Sequence, residues 1–399
     1  MLTSLEMDPR TNPYAPGAGN PPPELAGRDD VIERAAIALD RIRSGRPARG
    51  IILVGLRGVG KTVLLNHIRR DAEARGLVVV AIETPEDRSL PSLLVPALRV
   101  GLLQLSRIEA LKAKLEAAGR ALASAAKSFK LKFQDVEFNF DLAAEPGVAD
   151  SGDFERDLSD LVMAIGLAAK ERGTALILAI DELQYVPEKQ LSPLLAALHR
   201  ASQEQIPVAM IAAGLPQLIG LAGKAKSYAE RLFEFVEIGQ LGTRDAELAL
   251  CRPAEREGVA FSAGAVEEIL RQTMGYPYFL QEWGKHTWNI AKASPIAALD
   301  AVAATRSALA ELDASFFRVR FDRLTPMEKR YMRAMAELGP GPHRSGDIAE
   351  MLEKKVTTVA PVRSSLVAKG MIFSPAHGDN AFTVPLFDGF MRRTTPLAK

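Results

Sequence analysis

The feature that most constrains the fold is a glycine-rich loop between a short apolar run and a helix-forming segment. Residues 50–54 (GIILV) are typical of a buried parallel strand, and residues 61–75 have helical periodicity. The loop between them, GLRGVGKT at 55–62, fits the G-x-x-x-x-G-K-[ST] pattern at every fixed position. This order predicts the first unit of a parallel sheet, with a phosphate-binding turn at the carboxyl end of the strand.

The residue types in this loop suit a nucleotide. Small glycines let backbone N–H groups wrap around phosphate oxygens, and the helix N-terminus adds a fixed positive dipole. Lys61 can reach the β- and γ-phosphates, and the Thr62 hydroxyl can ligate Mg²⁺. ATP and Mg²⁺ are therefore the predicted ligands, and a chance glycine turn before a helix is the alternative. The predicted cofactor-binding residues of the loop are Gly55, Leu56, Arg57, Gly58, Val59, Gly60, Lys61 and Thr62.

An acidic motif supports the same chemistry. LILAIDE at 176–182 is a buried-strand pattern that ends in two adjacent carboxylates. We expect Asp181 to hold Mg²⁺ through water and Glu182 to orient and polarise the attacking water. Two solvated acids at a strand end are the alternative. The pair disfavours a kinase, whose acceptor would replace water as the nucleophile.

Strand and helix patterns alternate along the first 240 residues, which predicts an α/β core around a parallel sheet. Further buried-strand patterns occupy residues 77–83, 174–180 and 208–213. Helical patterns occupy residues 29–44, 91–127, 154–172 and 191–204. Residues 243–312 carry no strand signal and predict a helical subdomain. The predicted domains are an irregular lead-in (1–23), the core (24–242, with an insert at 106–150), a helical lid (243–324) and a winged helix (325–399).

Charge and composition exclude several classes of protein. The chain has 50 Lys+Arg and 49 Asp+Glu, so no global charge excess points to nucleic acid or to a membrane surface. No segment approaches the roughly 18 consecutive apolar residues of a membrane helix, and the N-terminus lacks the pattern of a signal peptide. The single cysteine, Cys251, excludes an internal disulfide framework. We expect a cytoplasmic protein without a membrane partner.

Together with flanking segments, these motifs resemble the AAA+/STAND superfamily of P-loop ATPases, and in particular its archaeal-type branch, which is related to origin-recognition initiators. ELAGRDDVIERA at 24–35 is similar to the box that opens this family. The resemblance implies that Gly27 and Arg28 lie near the adenine and ribose, with Tyr14, following Pro13, or Leu25 covering the base. It covers most of the chain, about residues 13–395.

Two later positions also match the family. Arg231, between the fourth strand and a fifth apolar run, lies where the superfamily carries an arginine finger, which often acts from a neighbouring subunit. A surface arginine paired with Glu230 or Glu234 is the alternative. The turn Gly275-Tyr276-Pro277 resembles the Gly-x-Pro signature of this branch, so the resemblance places Pro277 at the nucleotide. Initiators have a sensor arginine there, and this chain has none at that position.

One departure from the family pattern concerns hydrolysis. The fourth strand ends in Ala212, Ala213 and Gly214, where a polar residue commonly positions the hydrolytic water. We therefore expect a slow, switch-like ATPase in which nucleotide binding dominates.

The C-terminal residues have the helix–helix–helix–hairpin order of a winged helix. The third helix, 357–369, would enter a major groove with Thr357, Thr358, Arg363 and Ser364 outward, while Lys354, Lys355 and Lys369 meet phosphates. Residues 325–399 hold 11 Lys/Arg and 7 Asp/Glu, an excess of the right sign for DNA but a small one. The partners that remain open are double-stranded DNA, a docked protein and a second copy of the chain.

Two further segments carry weaker predictions. Residues 130–142 (KLKFQDVEFNFDL) alternate as a β-hairpin does, and we expect them to pack on the core rather than project into a partner. His377 would lie at the tip of the wing.

Overall fold

In a computed structural model of the chain, the structure describes residues 7–17, 19–105, 112–128, 151, 153–376 and 378–396. The core comprises helices α1 (Asp29–Arg43), α2 (Lys61–Ala74), α3 (Leu90–Leu105), α4 (Lys112–Ser128), α5 (Phe154–Glu171), α6 (Glu188–Gln203), α7 (Leu218–Ala225) and α8 (Ala229–Leu232). Its strands are β1 (Gly50–Val54), β2 (Val78–Glu83), β3 (Leu176–Asp181), β4 (Val208–Gly214) and β5 (Phe233–Glu237). The predicted hairpin at 130–142 and His377 lie outside the described residues.

The five core strands form one parallel sheet in the order β2-β3-β4-β1-β5. Both faces are covered by helices, so strands such as β1 and β4 are apolar and buried along their whole length. The predicted α/β core with a parallel sheet is confirmed. Because all strands run the same way, the loops after β1, β3 and β4 meet at one edge, where open α/β sheets bind ligands.

Two hydrophobic clusters fill the faces of the sheet. On one face, α1 and α2 pack through Leu39, Leu64 and Ile68. On the other, α3 to α7 pack through larger apolar surfaces, and Gly166 of α5 lies close against Ile206 and Val208. These layers hold the ends of β1 and β3 in a rigid frame.

The second half of the chain is helical and then mixed. The lid comprises α9 (Thr243–Arg256), α10 (Ala263–Thr273), α11 (Pro277–Ile290) and α12 (Ala298–Leu312), followed by a π-helical turn (Asp313–Phe317) and α13 (Arg318–Asp322). The C-terminal module comprises α14 (Pro326–Leu338), β6 (His343–Arg344), α15 (Ser345–Met351), α16 (Val356–Ala368), β7 (Ile372–Phe373), β8 (Asp379–Phe382) and α17 (Phe387–Thr394). Its strands pair antiparallel in the order β6-β8-β7.

The C-terminal module has the element order that the sequence predicts for a winged helix. Thr325 caps α14 and exchanges hydrogen bonds with Glu328 in a capping box. The sequence analysis did not predict the short strand β6 or the terminal helix α17. One hydrophobic cluster runs through both the lid and this module, so the domain limits given above stay predictions.

The N-terminal lead-in packs on the lid before it reaches the core. Trp288 donates a hydrogen bond from Nε1 to the Asp8 carbonyl (3.0 Å), and Asn12 donates to the Lys285 carbonyl (3.0 Å). Residues 19–25 then lead towards α1. In the described part of the chain, no helix has the length and hydropathy needed to span a bilayer.

Candidate functional site

A cavity of about 430 Å³ lies where the carboxyl edge of the sheet faces the lid, within the size range of small-molecule sites. Three parts of the chain enclose it: the lead-in, the loops after β1 and β3, and the α11–α13 side of the lid. Its lining includes Leu25, Arg28, Arg57, Gly58, Gly60, Lys61, Thr62, Glu83, Asp181, Glu182, Pro277, Tyr278, Phe316 and Arg320.

The glycine-rich loop forms the floor of this cavity. Gly58 and Gly60 have φ values of +81° and +90°, a left-handed conformation that residues with a Cβ adopt at a cost. Gly55 passes so close to the neighbouring chain that a Cβ there would lie 2.0 Å from the Ile238 carbonyl oxygen. Gly60 also directly precedes the first residue of α2, so the helix N-terminus faces the cavity.

Lys61 and Asp181 face the cavity from opposite sides of its floor. Lys61 donates from Nζ to the Leu56 carbonyl (2.8 Å), and burial lowers the pKa of Lys61 to about 8. Burial also raises the pKa of Asp181, against a hydrogen bond from Thr62 that lowers it. Burial penalises the charged form of both side chains, so an anion beside Lys61 or a cation beside Asp181 would stabilise that charged form.

The hydroxyl and carboxylate of Thr62 and Asp181 supply hard oxygen atoms, the ligand type that Mg²⁺ prefers. Their mutual hydrogen bond brings these oxygens together beside the loop. The donor set therefore fits a magnesium ion.

Glu182 is held by neighbours rather than left free in the cavity. Its backbone is left-handed (φ 54°), and β3 ends at the preceding residue. Glu182 Oε2 accepts a hydrogen bond from Gln184 Nε2, and Oε1 lies 3.7 Å from Arg57 Nη1. Arg57 in turn donates to the Tyr185 hydroxyl (2.7 Å).

Gln184 places a polar side chain at the end of β4, where the strand's own residues Ala212, Ala213 and Gly214 have none. Its Oε1 accepts from the backbone N–H of Leu215 (3.0 Å), while its Nε2 holds Glu182. Gly214 makes room for this side chain, since a Cβ there would lie 2.6 Å from Gln184 Oε1. The one sequence signal for Gln184 is its position two residues after Glu182. Its contact with β4 depends on the tertiary fold and leaves no local pattern.

The residues that the family resemblance placed near the base divide into two groups. Arg28, Leu25 and Pro277 line the cavity, and Arg28 donates to the carbonyls of Gly239 (2.6 Å) and Val59 (3.2 Å). Gly27 instead faces Asp245, whose carboxylate would lie 2.7 Å from a Cβ at that position.

Tyr14 does not cover the base. Its ring is buried in the lid against Gly284 and Trp288, and its hydroxyl donates to the Leu250 carbonyl. The Tyr14 ring is thus part of the hydrophobic core of the lid. The neighbouring residues Ala15 and Pro16 line the cavity instead.

Of two further arginines, Arg231 lies away from the cavity and Arg320 lines it. Arg231 is exposed on α8, before β5 begins, and β5 starts beside Gly50 at the amino edge of the sheet. The length of β5, about five residues or on the order of 17 Å, therefore separates Arg231 from the glycine-rich loop of the same chain. Arg320 of α13, which the sequence analysis missed, lines the cavity. No local pattern marks it, since 259 positions separate it from Lys61 in the sequence.

The predicted DNA-contacting residues of the C-terminal module are only partly available. Thr357, Thr358 and Ser364 of α16 are exposed. Arg363 donates to Asn380 Oδ1 (2.5 Å) and Ser374 Oγ (2.9 Å) within the module. Lys369 forms an ion pair of 2.7 Å with the buried carboxylate of Glu328.

Two family models match parts of the chain. Residues 24–211 match the family described as the AAA ATPase domain, as the motifs predicted, and residues 314–391 match a domain of unknown function, DUF8462. No curated protein matches the chain.

Similar solved structures cover nearly the whole chain. The Walker-type ATPase PABY2304 of Pyrococcus abyssi is 16% identical with a TM-score of 0.57, over 94% of this chain and 98% of that one. This likeness shows that the fold is that of a Walker-type ATPase. Aeropyrum pernix Orc1 in complex with DNA is also 16% identical, with a TM-score of 0.48 over 94% of both chains.

Proposed function

Residues 24–211 belong to the AAA ATPase domain family, and on this premise we propose that the protein is a slow Mg-ATP-hydrolysing switch whose output is the C-terminal module. The observation that carries the proposal is the position of Arg57. This one residue of the phosphate-binding loop contacts both Glu182 and the C-terminal module.

The residues of the loop bind and orient the nucleotide. Backbone N–H groups of 58–62 surround the phosphates, and Lys61 gives up the Leu56 carbonyl to reach the β- and γ-phosphates. When bound by Thr62 and Asp181, Mg²⁺ neutralises charge on those phosphates. Lys61→Ala is expected to abolish nucleotide binding or weaken it severely in calorimetric titration, and wild-type affinity in that variant would refute the site.

Slow turnover follows from the contacts of Glu182. Its carboxylate must polarise water, yet one oxygen accepts from Gln184 and the other faces Arg57. We expect release of phosphate at below about one per second, the low end of enzyme turnover. Glu182→Gln should keep ATP binding and stop turnover. A wild-type monomer that hydrolyses several ATP molecules per second would contradict the switch.

Coupling to the C-terminal module passes through backbone as well as side chains. The Arg57 N–H donates to the Thr383 carbonyl of the module (2.9 Å). Gly370, in the turn before β7, lies so near that a Cβ there would be 3.1 Å from Arg57 Nη2 and 3.0 Å from the Tyr185 hydroxyl. A phosphate that draws Arg57 inward therefore acts directly on the seating of the module.

The first candidate output is binding of double-stranded DNA by α16. Thr357, Thr358 and Ser364 are exposed on this helix, and Lys354 and Lys355 are exposed just before it. Hydroxyl groups on a helix can contact base edges, and flanking lysines can contact phosphates. The internal bonds of Arg363 and Lys369 restrict the proposed contact to this part of the module.

Fluorescence anisotropy of the Glu182→Gln protein on random duplex DNA tests this output. The titrations use Mg-ATP, Mg-ADP or no nucleotide, each across a salt series. We expect ATP-dependent affinity that falls steeply with salt, and a shallower salt dependence after the double change Lys354→Gln and Lys355→Gln. The matched control is Arg43→Gln with Arg46→Gln, which removes two exposed charges from the core. Binding that ignores nucleotide would contradict the coupling.

A second candidate output, that of a STAND-type signalling ATPase, is protein docking. The observation that favours it is the outward face of α16, which carries no charged side chain. Its exposed residues after Lys355 are Val356, Thr357, Thr358, Ala360, Pro361, Ser364 and Ala368. Val356 is 48% exposed at one end of this face.

Absence of DNA binding in every nucleotide state would move the proposal to this second candidate. The test is then affinity purification of the ATP-bound protein after nuclease treatment, beside the variants Val356→Glu and Leu299→Glu. Leu299 is an exposed apolar residue of the lid, 81% exposed. A stoichiometric partner lost only with Val356→Glu would support docking on α16, and retention in both variants would oppose it.

Arg231 can act as an arginine finger only from a neighbouring subunit. A homo-oligomer that forms with Mg-ATP, and loses turnover on Arg231→Ala without losing nucleotide binding, would support this role. Turnover per chain that is unchanged by dilution of the protein would assign Arg231 to the surface.

A further inference from the structure

Arg320 brings a further positive charge into the cavity from outside the ATPase core. It lies on α13, the short helix that leads into the C-terminal module. Its guanidinium stacks on the Phe316 ring at 4.0 Å and donates from Nη1 to the Phe316 carbonyl. The same cavity contains Lys61, Arg57 and Glu182.

The charge of Arg320 has no carboxylate partner at ion-pair distance within the described residues. The neighbouring arginines do: Arg318 pairs with Asp322 at 3.1 Å, and Arg323 pairs with Glu86 at 2.6 Å. Burial, followed by the positive charge of Arg57, lowers the pKa of Arg320 to about 10. The charge of Glu182 offsets this lowering only in part, so an anion that entered the cavity beside Arg320 and Arg57 would be stabilised by them.

We propose that Arg320 binds the terminal phosphate of ATP within the same chain, so that the site distinguishes ATP from ADP without a neighbouring subunit. This inference rests on the proposed nucleotide site and adds the residue that reads the third phosphate. The planar guanidinium suits phosphate oxygens, to which it can donate two parallel hydrogen bonds. The proposed phosphate-binding arginine lies on α13 and not in the turn at Pro277.

The packing around Arg320 provides the connection to the rest of the molecule. Phe316, on which it stacks, lies 4.7 Å from Tyr278, whose backbone N–H donates to the Gly58 carbonyl (3.1 Å). The adjacent Phe317 contacts the rings of Phe387 and Phe390 at 5.6 and 5.3 Å. A shift of Arg320 towards a phosphate therefore moves side chains that are part of the C-terminal module's core.

A purely structural role for Arg320 gives a different expectation. If it only caps the Phe316 carbonyl and packs on the ring, its loss loosens the cavity and weakens ATP and ADP alike. Binding of the terminal phosphate changes the affinity for ATP alone. The ratio of the two affinities therefore separates the two roles.

The experiment is calorimetric titration of Mg-ATP and Mg-ADP into the full chain, in the hydrolysis-deficient Glu182→Gln background. Arg320→Gln should weaken ATP binding by roughly ten- to a hundredfold, the effect of about one or two hydrogen bonds to a charged group, and ADP binding by less than about threefold. Arg320→Lys, which keeps the charge, should recover part of the ATP affinity. Arg318→Gln on the same helix should change neither.

Each outcome decides the inference. An equal loss for ATP and ADP, or no loss for ATP, overturns it while leaving the nucleotide site intact. If the unsubstituted protein binds neither nucleotide, the proposed function itself fails. Retained ADP binding by Arg320→Gln shows that the variant is folded, and Arg320→Lys supplies the same comparison if Arg320→Gln does not fold.

Discussion

The C-terminal module meets the rest of the molecule through two faces of opposite character. Towards the lid it is apolar: Phe317 packs against Phe387 and Phe390, within one hydrophobic cluster that extends from Trp288 to Met391. Towards the ATPase core the described contacts include a backbone hydrogen bond and a close approach of Gly370, and the segment that leads into the module adds an exposed ion pair of Arg323 with Glu86. Next to these contacts, a cleft of about 1010 Å³ lies between core and module.

This difference indicates which parts can move together. Separation of the module from the lid would expose buried aromatic rings to water, at a large cost in free energy. Separation from the core breaks mainly polar contacts that water can replace. We infer that lid and module move as one body relative to the core, with the nucleotide cavity at the boundary between them.

The largest effect is expected on the apolar face. Phe317→Ala removes a fully buried ring that joins the lid to the module, and such changes cost about 3–5 kcal/mol of unfolding free energy. Lid and module should lose stability together, measured by urea denaturation and by hydrogen exchange of α11 and α14. The control is Val319→Ala, a residue that is 66% exposed two positions later. Loss confined to the module would separate the two bodies.

A smaller effect is expected within the module, at Glu328. Burial alone would raise the pKa of Glu328, but hydrogen bonds from Lys369, Ser365 and the Thr325 backbone outweigh it and lower the pKa to about 2. Glu328→Gln removes the charge that these donors stabilise. The expected loss is about 2 to 3 kcal/mol at neutral pH, the range for hydrogen bonds to a charged group.

The pH dependence of this loss has a defined sign. A depressed pKa in the folded state stabilises the protein above the unfolded pKa of about 4.3, and this contribution fades as the pH falls towards 2. The difference in unfolding free energy between wild type and Glu328→Gln should therefore shrink between about pH 4.5 and pH 2.5. Asp322→Asn, in an exposed pair with Arg318, serves as the control. A difference that stays constant over that range would mean that the pair contributes little.

The face of the module towards the core is tested at Gly370, with a smaller expected effect. Its φ of +61° makes Gly370→Ala cost about 1 kcal/mol in backbone strain, and the added Cβ also meets Leu215, Tyr185 and Arg57 at 3.0–3.1 Å. Gly45→Ala has the same kind of backbone (φ +68°) in open space and measures strain alone. Gly370→Ala should lose at least as much thermal stability as Gly45→Ala, and only Gly370→Ala should speed exchange of the Arg57 amide. Equal exchange in both would show that the core–module contact is loose already.

The sequence predicted the core better than it predicted these faces, for a physical reason. The loop at 55–62 and the acids at 181–182 have fixed local patterns, because their chemistry depends on adjacent residues along one strand–turn–helix unit. Arg320 and Gln184 act through contacts between distant strands and helices, which no local pattern records. Of the two candidates for covering the base, Leu25 lines the cavity and Tyr14 is buried in the lid, because a buried aromatic ring and a base-stacking ring have the same sequence signature beside a proline.

The ion pair between Arg323 and Glu86 should have the smallest effect on stability. Its loss should still speed hydrogen exchange where the module contacts the core. Their side chains are 48% and 38% exposed, so the pair contributes less than about 1 kcal/mol to folding. Yet the pair links the core to the segment that leads into the module, and Lys369 Nζ of the module donates to the Arg323 carbonyl (3.1 Å). Arg323→Gln and Glu86→Gln should leave the melting temperature within about 2 °C of wild type while exchange of the Arg57 amide quickens. The double variant should match either single one, because the same contact is lost in each. If exchange is unchanged in all three, the contacts of Thr383 and Gly370 hold the module to the core without this ion pair, and the proposed opening must begin at the phosphate-binding loop.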